Sequence, residues 1–152
     1  MEWNEPIRQK GFEKKLNRVC EINEPKTWPH GNRKQGAFLI PFMEDPVHLG
    51  IVTRQDKTLL SSAIFFPGGD AITSNPRTTM LEQASQFMGV DPKSIQVTGY
   101  LGLYPFPNAD YDAHIFVGWT QPMEEWKLDP EMVDKAYKIP FEYFMEKYTS
   151  PS

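Results

Sequence analysis

Phe65-Phe66-Pro67-Gly68-Gly69-Asp70 is the stretch whose reading decides the fold. An aromatic strand end followed by a proline and two glycines turns sharply. Two residues without a Cβ accept positive φ and let another backbone or a ligand come close. Beyond the turn, Asp70 to Pro76 reads as a loop, with Asn75 a helix N-cap and Pro76 in the first helical position. Thr78 to Met88 then reads as helix, and Gly89 stands where a left-handed C-cap is wanted. Strand, glycine turn, loop, helix and glycine stop together predict a scaffold for a site.

Working outward, the segments on either side alternate between apolar runs and turn residues. Ser62 to Phe66 predicts a short strand, Gln55-Asp56-Lys57 a turn, and Val47 to Thr53 a longer strand. Glu44-Asp45-Pro46 predicts the turn before that, and Gly36 to Met43 a buried strand in which Pro41 implies a bulge or an edge. Upstream, Ile7, Phe12, Leu16, Val19 and Cys20 recur at helical spacing, with Gly11 weakening the first turns and a loop running from Glu24 to Lys34. Downstream, Ile95 to Leu103 predicts a strand, Pro105 to Asp110 a loop and Ala113 to Trp119 a central strand. Pro122 to Pro130 reads as loop, Glu131 to Lys135 as a helical turn, Tyr137 to Ile139 as a brief extended segment, and Phe141 to Tyr148 as a final helix. The sum is an α/β (α+β) domain, a mixed sheet between helices. Residues 1–34 form a helix and connecting loop packed on it, and 35–152 the domain itself.

Bulk composition narrows the function classes. At 152 residues the chain suits one domain. Sixteen Lys and Arg against twenty Asp and Glu leave a formal charge of −4, which argues against a nucleic-acid surface. Cys20, the single cysteine, excludes an internal disulfide and suits a reducing compartment; a small apolar role on the helix explains it. No apolar run reaches the ~20 residues a membrane span needs, and no signal-peptide core is present, so the expected setting is the cytoplasm.

Several of these pieces together resemble the Nudix hydrolase fold, and most closely its coenzyme A diphosphatase branch. The similarity runs over roughly residues 35 to 147. It rests on Phe38-Leu39-Ile40-Pro41-Phe42, Thr53-Arg54, Phe66-Pro67-Gly68-Gly69, Gly89-Val90, Val97-Thr98-Gly99-Tyr100-Leu101, and Glu131, Val133, Tyr137 and Pro140-Phe141, in that order. The resemblance implies a Mg²⁺- or Mn²⁺-dependent hydrolase of a nucleoside-diphosphate-linked compound, such as a coenzyme A-like or ADP-ribose-like substrate. The branch's Leu-Arg-x-His-like element finds no arginine or histidine at Thr58 to Ala63, so coenzyme A specificity does not carry over.

The box that would carry the chemistry departs from the family's pattern. Anchored on Gly89, its Arg-Glu pair becomes Glu82-Gln83 and its Glu-Glu pair becomes Gln86-Phe87. Anchored on Gly69, its first glutamate becomes Asn75. Hard divalent cations want anionic oxygens, which amides and a phenyl ring do not supply. The expectation is therefore a degenerate box and a catalytically inactive ligand-binding or protein-interaction module. Its ligand-facing residues are expected to be Arg54, Phe66, Gly68, Gly69, Gln83, Gln86 and Trp126.

Two alternatives stand beside it. A working hydrolase would rebuild the metal site on Glu82, Asp70 and Glu131, with Asp110, Asp112 and His114 as further candidates from a neighbouring loop and strand. A structural subunit would dock a protein partner or a second copy through the N-terminal helix and the surface around Trp126.

Overall fold

The computed structural model describes residues 8–22, 34–54, 64–70, 75–106 and 110–143. Ile7, the loop through residue 33, the turn at Gln55-Asp56-Lys57, the Thr58 to Ala63 stretch and the final helix beyond Tyr143 lie outside those residues. Helix α1 spans Gln9–Ile22, followed by β1 (Lys34–Met43), β2 (His48–Arg54), β3 (Ile64–Phe65) and β4 (Gly68–Asp70). Then come α2 (Pro76–Met88), β5 (Gln96–Phe106), β6 (Tyr111–Trp119) and β7 (Val133–Pro140). Among the described residues all seven strands join one mixed sheet.

Strand β1 is its centre. It runs parallel to β6 without a break from Lys34↔Tyr111 to Phe42↔Trp119. Its other side is shared: β4 takes Gly36 to Phe38 and β2 takes only Phe42 and Met43. Beyond Leu49, β2 leaves β1 and pairs with β3 at Val52↔Phe65 and Thr53↔Ile64. The Phe65-to-Gly68 segment therefore crosses from one diverging strand to the other. Leu39 N–H donates to the Pro67 carbonyl there, at 2.9 Å.

This divergence corrects the reading of Pro41 as a bulge or an edge, because the strand is central and its β6 register is continuous. Strand alternation turns the nitrogen of Pro41 the same way as that of Leu39, into the gap between the β4 and β2 partners. No ladder hydrogen bond is lost, so proline is tolerated.

Other departures have comparable causes. Gly68–Asp70 is a strand rather than the start of a loop, because β1 offers it an edge. Residues 105 and 106 extend β5, pairing with Asp112 and Tyr111. Glu131 to Lys135 does not form a helical turn: β7 starts at Val133 and pairs along β2 as far as His48↔Pro140. Its residues suit a helix locally, and only the open side of β2 makes them extended.

Odd-numbered β1 residues Ala37, Leu39 and Met43 face α2 and pack with Met80, Ala84, Phe87, Met88 and Phe116. Even-numbered Phe42 faces the other way, where Phe12, Leu16 and Cys20 of α1 pack with Val117 and Trp119. The Phe12 ring sits 4.8 Å from both Phe42 and Phe141. Val19, expected on this stripe, is 51% exposed. The helix leans instead toward Cys20, whose Sγ fills the space over Gly99; a Cβ there would lie 2.5 Å from it. Burial raises the Cys20 pKa. No helix among the described residues is long and apolar enough to cross a membrane.

Candidate functional site

Strand β4 and helix α2 build the site frame. Gly68 has φ +148°, and a Cβ on it would lie 2.3 Å from the Ala37 carbonyl oxygen, so only glycine lets β4 come this close to β1. Gly69 faces α2: a Cβ on it would meet Gln83 Oε1 at 2.6 Å. Helix α2 is fixed at both ends as the sequence predicts. The Asn75 side chain accepts from Thr78 N–H at 3.2 Å, Pro76 opens the first turn, and Gly89 closes the helix in the left-handed region.

Along α2 the box positions separate. Phe87 is fully buried in the core between α2 and the sheet. Gln83 lies against Gly69, while Glu82 and Gln86 are exposed on the outer side. Asp70 is engaged elsewhere: Tyr111 Oη–H donates to its Oδ1 at 2.8 Å, and Lys34 Nζ lies 2.9 Å from its Oδ2. Gly36 makes this possible, since a Cβ there would overlap the Tyr111 hydroxyl. Glu131 is exposed in the turn before β7, its N–H held by Asp129 Oδ1 at 2.9 Å. Asp110 is exposed and Asp112 fully buried.

Among the described residues no three His, Cys, Asp or Glu side chains stand close enough to hold a metal ion. The set Asp70, Glu82 and Glu131 is therefore not assembled, and the described residues offer Mg²⁺ or Mn²⁺ no cluster of three such ligands.

The ligand-facing candidates divide in the same way. Phe66 is half-buried with its ring 5.2 Å from Phe65, at the rim of an aromatic cluster that includes Phe38 and Phe106. Trp126 is only 7% exposed: its indole N–H donates to the Gln121 carbonyl at 3.1 Å and its ring covers Gly50 in the core, so packing accounts for it. Arg54 pairs with Val133 through its backbone at an irregularity of the β2–β7 ladder.

One polar chain joins His114, a candidate from the sequence, to Gln35 and Tyr100, which the sequence did not single out as site residues. His114, 9% exposed on β6, lies with Nε2 2.9 Å from Gln35 Oε1 and Nδ1 2.8 Å from Tyr100 Oη. Gln35 precedes the apolar run of β1 and shares the face of Ala37, a signal that alternation carries once β1 is known to be central. Tyr100 comes into reach only through the β5 register shift between Tyr100 and Gly102. Burial, and then the neighbouring Tyr104, raise the Tyr100 pKa.

No family model matches the chain. It is 23% identical over 148 residues to the peroxisomal coenzyme A diphosphatase NUDT7 of Mus musculus, covering 93% of this chain but 61% of that protein. The chain thus spans about three fifths of the length of that relative. Among solved structures, it is similar to an Ap4A hydrolase binary complex from C. elegans, with TM-score 0.58, 6% identity, and 78% and 88% of the two chains covered. The NUDIX domain of NrtR from Shewanella oneidensis, complexed with ADP ribose, gives TM-score 0.56 at 12% identity over 85% of each chain. A NUDIX hydrolase from Nitrosomonas europaea gives 0.57 at 11%, over 76% and 62%.

Proposed function

We propose, for a chain that has the Nudix fold and stands near the coenzyme A diphosphatase branch of that superfamily, a protein that binds a nucleoside-diphosphate-type ligand without hydrolysing it. The observation that carries this reading is the divided α2 face. Phe87 is spent on the core, Gln83 is seated on Gly69, and Glu82 and Gln86 remain outside. Attack on a diphosphate needs concentrated positive charge to offset the phosphate oxygens and to activate water, and this face has no clustered anions to recruit a cation.

The frame that would receive a ligand is intact. Gly68 still brings β4 close to β1, Gly69 still lies beneath Gln83 of α2, and both α2 caps are in place. The complex of the NrtR domain with ADP ribose supports a compound of that class.

The test pairs binding with turnover on the full chain. Calorimetry with ADP-ribose in EDTA is expected to show saturable binding. Assays with Mg²⁺ or Mn²⁺ and coenzyme A, ADP-ribose or Ap4A are expected to show no release of product. Metal-dependent turnover at about 1 s⁻¹ or faster would establish the hydrolase reading instead.

A further inference from the structure

The face of the sheet beneath α2 carries a polar group beside the glycine turn. In the ladder, Ala37 of β1 lies between Gly69 of β4 and His114 of β6. Gln83 stands over Gly69 on one side, and His114 stands on the other. Gln35, two residues before Ala37 on the same face, is exposed at the open end of this row.

His114 fixes how Gln35 is presented. An amide oxygen can only accept, so the His114 ring carries its proton on Nε2 and donates to Gln35 Oε1 at 2.9 Å. Nδ1 then accepts from the Tyr100 hydroxyl at 2.8 Å. Tyr100 has its pKa raised by burial, so it remains a protonated donor at neutral pH. With its oxygen accepting from the buried ring, the Gln35 amide turns its NH₂ group away from His114.

We infer that Gln35 is a ligand-contacting residue of this site, its side-chain NH₂ donating to a phosphate oxygen of the nucleoside-diphosphate-type ligand. Tyr100 and His114 act through it as positioning residues. The inference rests on the binding function proposed above and extends it to how the anion is recognised. A fixed neutral donor reaches an anionic oxygen without a bridging cation, as N–H donors do at many phosphate sites.

Calorimetry with ADP-ribose as probe, in EDTA and on the full chain, tests it. Gln35→Glu keeps the size of the side chain and an oxygen for His114 to donate to, but replaces the outward NH₂ by an anionic oxygen. It is expected to weaken binding about tenfold or more while leaving the melting temperature near that of the wild type. His114→Leu, which releases the amide, is expected to weaken binding as well. His114→Gln retains a donor near the Nε2 position and is expected to recover most of that loss, which a merely structural role would not predict. Wild-type affinity in Gln35→Glu overturns the inference while leaving the binding function standing. Failure of the wild type itself to bind ADP-ribose overturns both.

Discussion

Gly68 and Gly69 are neighbours of the same type, yet they answer an added methyl group differently. At Gly68 the new Cβ meets backbone, 2.3 Å from the Ala37 carbonyl and 2.7 Å from Phe38 Cα, at φ +148°. Neither neighbour can yield without moving β1. Gly68→Ala is therefore expected to cost roughly 3 kcal/mol or more, read as the shift of a urea denaturation midpoint. At Gly69 the obstacle is Gln83 Oε1, the far end of a side chain with rotatable bonds. Gly69→Ala is expected to cost less than about 1 kcal/mol and to displace the Gln83 amide. Equal losses at the two positions would show that the close approach of β4 to β1 is not what requires Gly68. This distinction is invisible in the sequence, where the pair simply marks a turn.

At the scale of elements, legibility follows the range of the interaction that creates the element. Helix α2 was readable because its caps are local: Asn75, Pro76 and Gly89 lie within or beside it. Strand β7 was readable only at Tyr137 to Ile139, because the rest of it is extended through pairing with β2, far away in sequence. The Tyr100–His114–Gln35 chain draws one residue from each of three strands, so no spacing within a segment could announce it. Gln83, Gln86 and Phe87 were readable as letters, but that Phe87 belongs to the core emerges only from the packing.

Lys138 shows how β7 is held beyond its ladder. Its ammonium donates to Glu44 in the β1–β2 turn at 2.6 Å and to Glu124 in the short 3-10 turn Met123–Glu125. The hydrogen bond to Glu124, and then that to Glu44, raise the Lys138 pKa; the same bond from Lys138 lowers that of Glu124. A raised lysine stabilises fully below its ordinary value and loses the effect as pH climbs through its folded pKa. A lowered carboxylate stabilises above its ordinary value and loses the effect as pH falls through its folded pKa. Lys138→Met is therefore expected to lower the melting temperature most near neutrality, by a few degrees at most because the pair is partly solvated. The difference from wild type is expected to shrink below about pH 4 and above about pH 10.5, measured by thermal scans across pH.

At the scale of the molecule, α1 and α2 cover opposite faces of one sheet among the described residues, and they are anchored unequally. Helix α2 buries Met80, Ala84, Phe87 and Met88 completely, whereas α1 buries no residue fully and relies on half-buried Phe12, Leu16 and Cys20. Phe12 is the chief anchor, since its ring touches both Phe42 and Phe141. Phe12→Ala is expected to weaken α1 docking by about 2 kcal/mol, seen as faster amide exchange confined to residues 9–22. Exchange accelerating equally in α2 would mean that the two faces do not open independently.

The parallel ladder between β1 and β6 also sets the order in which this chain can assemble. Strand β1 leaves the ribosome long before β6, and its longest partner begins only at Tyr111. Closing so large a loop is slow compared with joining β5 to β6, whose strands are separated by a short connection. A nascent chain that ends before Trp119 holds its most apolar strand without the neighbour that covers one edge for nearly its full length. During synthesis, the segment at greatest risk of wrong association is thus the strand that later lies at the centre.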